Sequence, residues 1–339
     1  MNRLVRLFLL LFVLISFEAL AQNKIDENGK KQGPWSKLDK NGKKIYQGNF
    51  KDDYEVGTFT YFYEDGKVKA SSVFSDNGKK AKTTTFYPNA NIMSEGEYLD
   101  KKKNGKWVLY DENGKKLSEE FYSKGLKTGV WNVFDKDGQL VETINYLNDK
   151  RNGIYYKNTY QKGYFYFTFK DDKRDGPYED FFYFQKLKIK GSYSNNLKEG
   201  DWKYFDSIGS VVKTQTWKND VLVSEKVSLD LGSEVKFVET KNIAYLYQTG
   251  KRLNVTLMSG ESISCINNVD KLLDVLSLDS FIQLNKKLML YANISSIKGI
   301  EPATGGDYYI ILEPKTPSKL TTDKESRMAL EKMFKKQDF

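Results

Sequence analysis

Histidine is missing from this chain altogether, and cysteine occurs once, at Cys265. The side chain most used near neutral pH as general base, proton shuttle and metal ligand is therefore gone. Serine–histidine and cysteine–histidine catalysis are excluded. One cysteine allows no disulfide within the chain, no zinc finger and no CxxC redox motif. Carboxylate-only chemistry, such as glycoside hydrolysis, needs no histidine. The acidic residues here, however, gather in turns, where Asp serves backbone geometry. The expectation is a non-enzymatic protein with no cofactor and no bound metal. A long membrane-spanning run is lacking too: the apolar stretch Leu7 to Phe17 is too short for a comfortable span.

That stretch belongs to a leader. Arg3 and Arg6 make a positive start, the apolar run follows, and Ala19-Leu20-Ala21 offers a small-x-small cleavage site. The pattern predicts a secretory signal over 1–21, Gln22 as the mature N-terminus, and the rest of the chain outside the cytoplasm, in periplasm, envelope or medium. An uncleaved anchor with Arg3 and Arg6 held inside gives the same sidedness.

What the chain has in abundance is aromatic residues at a fixed beat. Glycines recur at Gly33, Gly57, Gly105, Gly129, Gly153, Gly176 and Gly200, in steps of 24 residues and once of 23, with Ala81 where a further one is due. Two residues on stands Trp35, Phe59, Trp107, Trp131, Tyr155, Tyr178 or Trp202. Five on stands Phe62, Phe86, Tyr110, Phe134, Phe181 or Phe205. Seventeen on stands Phe50, Phe74, Tyr98, Tyr122, Tyr146, Tyr193 or Trp217, with Phe169 one place early. A period kept this long defines a repeat architecture.

Within one unit, Trp107 to Asp111 alternates with the two-residue beat of a strand. Asp111-Glu112-Asn113-Gly114 then signals a tight turn, because Asn and Gly tolerate positive φ. Lys116 to Tyr122 is a second strand, and a polar linker follows. Similar turns stand at Asp39 to Gly42, Glu64 to Gly66 and Asp135 to Gly138. They lack the length and the terminal Glu of a calcium loop. Each unit is thus one β-hairpin, and because a lone hairpin is marginal in water, the units must stack to bury their rings.

Tyr46-Gln47-Gly48-Asn49-Phe50 followed by Gly57-Thr58-Phe59, and Glu95-Gly96-Glu97-Tyr98 followed by Gly105-Lys106-Trp107, resemble the MORN repeat in its bacterial, antitoxin-like variant. The resemblance covers about eight units from Gly33 to Val221. It implies a fold rather than an activity, since such repeats host scaffolding, partner binding and lipid contact alike. The stretch from Gly153 through the following unit departs from the pattern. It loses the Asp-x-Asn-Gly turn and crowds in Tyr155, Tyr156, Tyr160, Tyr164 to Phe167, Phe169 and Phe181 to Phe184.

The net charge of +9 belongs mostly to the repeats. Its carriers sit in the linkers: Lys101 to Lys103, Lys124, Lys127, Lys150-Arg151 and Lys173-Arg174. A constant period lines them along one edge. Two readings stand, a charged edge that blocks strand-to-strand aggregation and a basic stripe for an anionic polysaccharide, lipid headgroup or acidic protein.

The beat stops near Val223, and Asp230 to Ser233 reads as the boundary. Beyond it, Val255 to Leu257 and Ile263 to Ile266 flank a turn, Asn268 to Leu278 has helical spacing, and Leu288 to Ile300 and Tyr308 to Leu312 read as strands. Thr322-Asp323-Lys324-Glu325 reads as a capping box opening a helix through Met328, Leu330, Met333 and Phe334. The order Ile243 to Tyr247, Asn254 to Leu257, Asp270 to Leu273, Phe281 to Lys287 and Asn293 to Ile300 resembles the LytTR DNA-binding domain over about Val238 to Lys335. Asn285-Lys286 stand near the place of the His-Arg pair usual in that family, and this segment is close to neutral overall, which weakens the electrostatic attraction that DNA binding leans on.

The expected fold is mainly β: an elongated meander of about eight MORN-like β-hairpins, then a small β-rich domain with one or two short helices. The expected division is a signal over 1–21, repeats over 22–229 and a LytTR-like domain over 230–339. The expected function is an exported binding scaffold of the cell envelope, taking a protein or envelope polymer at Tyr155, Tyr160, Tyr164, Tyr166 and Phe182. One alternative is a transcriptional regulator that senses through its repeats and contacts DNA through Asn285, Lys286 and Lys287. Another is an antitoxin- or immunity-like protein.

Overall fold

The computed structural model describes residues 23–276, 280–303, 308–316, 319–323, 326–328 and 330. The leader, its cleavage site, Glu325, Met333 and Phe334 lie outside the described residues. The chain forms two compact units, 23–160 with 164–173, and 161–163 with 174 onward.

In the first unit the long strands pair antiparallel with their neighbours in the chain, while the short Leu126–Lys127 pairs only with Lys116–Ser123 before it. The run goes from Lys31–Leu38 and Lys44–Lys51 to Lys150–Asn158 and Tyr164–Lys170. The second unit continues the same way from Leu187–Ser194 to Val235–Glu239. The expected hairpin meander is therefore the observed one.

Its turns explain why the beat does not drift. At one end of most hairpins lies a three-residue loop, whereas Asn158 and Tyr164 are joined by five residues that include a 3-10 turn at Tyr160–Lys162. The Asp39 carboxylate accepts the N–H groups of Asn41 and Lys43 at 2.9 and 2.8 Å, the Gly42 N–H bonds back to the Asp39 carbonyl, and Gly42 takes φ +80°. This is a turn closed by a left-handed glycine. Asp111 and Asp135 build the same loop. At the other end two consecutive residues take positive φ: Asp52 and Asp53, Asn148 and Asp149, Asn195 and Asn196, Asn219 and Asp220. The segment expected to be a linker is thus a second tight turn of the two-residue type. Strand length and two fixed turns hold the period, and the one step of 23, from Gly153 to Gly176, falls in the unit with the different loop.

The repeating glycine sits inside a strand at positive φ (Gly57 +66°, Gly105 +69°) where the register shifts against the preceding strand. It is a bulge residue, for which glycine pays no Cβ penalty. Ala81 cannot do this cheaply. Its strand, Lys80–Phe86, runs against Val68–Ser75 with no shift, and the slack moves into a longer turn between Ser75 and Lys80, where Asp76, Asn77 and Gly78 carry the positive φ values.

Rings two and seventeen places past the glycine share one face and meet edge to face or, for Trp131 and Tyr146, tilted. Phe50 to Phe59, Phe59 to Phe74, Tyr98 to Trp107 and Trp131 to Tyr146 stand 4.9 to 5.2 Å apart between centroids. These contacts bury Phe59, Trp107, Trp131 and Trp202. Such pairs add about 0.5–1.5 kcal/mol each beyond the area they bury.

In the second unit the boundary read at Asp230 proves to be a hairpin: Val221–Asp230 pairs onward with Val235–Glu239. Val227, Leu229 and Val238 from this hairpin join Ile243, Leu246, Leu253 and Leu272 in one core. The Asn267 side chain bridges Ser228 and Asp230. Sheet and helix follow the expected order. Ser262–Cys265, Arg252–Leu257, Ile243–Thr249, Leu290–Asn293 and Phe281–Asn285 lie side by side in a five-stranded sheet. The helix Val269–Val275 is capped by Asn268 accepting from the Lys271 N–H. A three-stranded sheet is formed by Ile297–Pro302, Tyr308–Leu312 and Thr321–Thr322.

Two local expectations are corrected. Leu288 to Ile300 is not one strand, because a 3-10 turn at Ile294–Ser296, with Asn293 accepting from the Ser295 N–H, breaks it. Asp323 rather than Thr322 caps the last helix, its carboxylate accepting the Ser326 N–H, while Thr322 is a buried strand residue.

Candidate functional site

Within the first unit the aromatic crowd divides between two faces of the sheet. Tyr155 pairs with Phe167 and Tyr156 with Tyr166 across the strands, so alternation sends Tyr155, Phe165, Phe167 and Phe169 to the ladder face. Tyr164 and Tyr166 share the other face with Tyr156, whose ring lies 5.8 Å from that of Tyr164. Tyr155 is built into the fold. Its ring meets Phe167 at 4.9 Å, and its hydroxyl donates to Glu142, burial and that carboxylate pushing its pKa up. Tyr160 stands out in solvent at φ +57°. Phe182 lies in the second unit, stacked on Phe184 at 5.3 Å.

The linker cations are less free than a basic stripe requires. Lys103 sits over Trp107 and Tyr122, Lys127 over Trp131 and Tyr146, and Lys198 over Trp202 and Trp217, all at 4.4 to 5.1 Å from the ring centroids. Lys31 lies over Trp35 and Phe50, Arg151 over Phe169 and Arg174 over Tyr193. These residues all stand two places before the bulge glycine. They close the ends of the ring ladder, each worth about 0.5–1 kcal/mol where exposed. Desolvation against the rings lowers the pKa of Lys198. The signal was present as a cation at a fixed offset from two aromatics, but only the strand register brings the three side chains together.

The residues expected at DNA divide by role. Asn285 is buried, its amide donating to the Thr321 carbonyl and accepting from the Leu288 N–H. It builds the turn. Lys286 and Lys287 are exposed at the tip. Asp323 accepts the Lys286 N–H at 2.9 Å and the Ser326 N–H at 2.8 Å, and its carbonyl accepts from the Arg327 N–H. The Arg327 guanidinium lies 4.0 Å over Tyr308. Asp323 thus ties the backbone of the Lys286 turn to the start of the segment that carries Arg327. Arg327 escaped the sequence reading because it lies far along the chain and no motif points to it.

The chain forms repeated antiparallel hairpins and, later in the sequence, a small β domain whose Lys286-Lys287 turn is exposed. The MORN repeat variant matches this chain over residues 55–76, 103–124 and 127–148, and the LytTr DNA-binding domain matches it over residues 233–334. Each repeat match begins two residues before its bulge glycine, at the position of the ring-capping residue. A solved LytTr DNA-binding domain, from a Bacillus cereus protein described as a methyl-accepting/DNA response regulator, is similar at 17% identity. The match covers 32% of this chain and 95% of that one with a TM-score of 0.27. No curated protein matches the chain. Among the described residues no helix is long and apolar enough to cross a membrane.

Proposed function

We propose that the chain is a non-catalytic regulator that binds DNA through Lys286, Lys287 and Arg327, with the repeats serving as its interaction module. What supports this reading is the match of residues 233–334 to a DNA-binding family, together with the backbone bonds by which Asp323 joins the exposed Lys286-Lys287 turn to the segment of Arg327. Three cations on phosphates predict a log–log salt slope of about −2 to −3. Fluorescence anisotropy on duplex DNA across a salt series tests it. Salt-dependent binding lost in K286E/K287E supports the reading, and absence of binding at low salt refutes it.

A second reading is an exported scaffold of the cell envelope that binds a protein or an envelope polymer, favoured by the leader of Arg3, Arg6 and the Ala19-Leu20-Ala21 site. It predicts a mature chain beginning at Gln22 in the periplasmic or extracellular fraction. Mass spectrometry of the N-terminus after fractionation separates the two: a cytoplasmic chain that starts at Met1 removes the scaffold.

A further inference from the structure

The ring ladder has one rung missing. Two places past the repeating position, where Phe59 and Trp107 put their rings, stands Thr83. Directly across the strand pair, where Gly48 and Gly96 make room beneath those rings, stands Ser72. Both are buried, and their hydroxyls hydrogen-bond to each other at 2.8 Å. The two changes match. Here both the glycine and the ring are absent, and the small hydroxyl pair satisfies itself.

What remains above that pair is a notch of about 380 Å³, lined among others by Tyr61, Phe74, Ala81, Tyr98 and Lys79. Phe74, Ala81 and Tyr98 lie side by side in register on three strands, so two rings flank a methyl group. Phe74 meets Phe59 at 5.1 Å on its far side, and Tyr98 meets Trp107 at 4.9 Å on its own. The rung between them is the one the repeat omits. Lys79 is the residue two places before Ala81. Its counterparts Lys31, Lys103, Lys127, Arg151, Arg174 and Lys198 each lie over rings.

We propose that this notch between Phe74 and Tyr98 is a binding site for a small planar aromatic molecule of indole size. The ligand supplies the missing rung: its edges meet Phe74 and Tyr98 as the built-in rings meet their neighbours, its face lies over Ala81, and Lys79 closes it from the rim. The volume suits a small ligand, and aromatic pairing with cation–π closure is the chemistry the other units use at this position.

The test is titration of the whole protein with free indole, read by NMR on the Ala81 and Thr83 methyl groups and by thermal melting. The expected result is saturable shifts at those two methyls and a dose-dependent rise in melting temperature. S72G/T83W, which restores the glycine and the built-in ring, is expected to abolish both responses. Absence of saturable shifts at Ala81 and Thr83 up to the solubility limit of indole overturns the proposal, as do equal shifts in a folded S72G/T83W. If that variant does not fold, the methyl shifts of the natural chain decide alone.

Discussion

Gly96 lies directly beneath the indole of Trp107, so close that a Cβ on it would stand 2.2 Å from ring atom Cδ2. The indole N–H then reaches past it to the Glu97 carbonyl at 3.1 Å. Gly48 under Phe59 and Gly191 under Trp202 repeat the arrangement at 2.5 and 2.3 Å. None of these three glycines takes positive φ, so the demand is for space, not for backbone freedom. Rings shielding strand glycines across a sheet is a known stabilising device.

Gly96→Ala should therefore destabilise the first unit. The ring atoms at risk are next to the ring's attachment and cannot swing clear, so the strand pair must part or the indole must leave its pocket. Overpacking of this kind costs about 1–3 kcal/mol. Urea unfolding monitored by tryptophan fluorescence measures it. Gly105→Ala, at a bulge with φ +69° and open space around it, should destabilise through backbone strain while leaving the Trp107 emission maximum in place.

Lys127 offers a test of the ring caps. Its ammonium lies 4.6 Å from the Trp131 centroid and 5.1 Å from that of Tyr146. Lys127→Met keeps the aliphatic stem and removes only the charge, so the expected loss is about 0.5–1 kcal/mol. Lys127→Ala also uncovers the rings and should lose more. If the two variants unfold at the same urea concentration as the natural chain, the lysines are edge charges only.

The turns carry a pH dependence of definite sign. The backbone N–H of Gln139 first, then that of Asp137, the Tyr160 side chain and the Gly138 N–H hold the Asp135 carboxyl below its ordinary value. A carboxyl whose folded pKa is depressed contributes its stability above the unfolded value, about 3.9. That contribution is lost as pH falls through the folded value. Stability should thus fall on acidification below about pH 4. Asp135→Asn keeps the acceptor oxygen without the charge and should flatten that fall, as equilibrium unfolding at pH 3 and pH 7 will show.

Much of this was legible in the residues. The beat of Gly33, Gly57 and Gly105, the rings at offsets two and seventeen and the Asp-x-Asn-Gly turns define the meander, because each unit repeats the same covalent reason for its shape. What could not be read is whatever depends on register. The positive-φ pair at Asp52 and Asp53 looks like any polar linker until the strands on either side are seen to pair. The division of Tyr155 from Tyr164 and Tyr166 follows from which strand faces which, and the aromatic count alone is blind to it. The LytTR unit was harder still, because Asn293 and Asn285 act as turn builders through side-chain bonds to backbone, and a side chain's partner thirty-six residues away, such as Thr321 for Asn285, leaves no local trace.

Asn285 and Lys287 make opposite predictions, and their contrast bears on the proposed DNA contact. The Asn285 amide is buried and bonded at both ends. Asn285→Ala strands the Thr321 carbonyl and the Leu288 N–H, and a buried group left unpaired costs about 1–3 kcal/mol. Its effect on DNA affinity should come only through the shape of the turn. Lys287 is exposed at the tip, so Lys287→Ala should leave the urea midpoint within error and reduce the salt slope of DNA binding by about one. If Lys287→Ala unfolds the domain, or if its binding curve and salt slope match those of the natural chain, the tip does not touch phosphate.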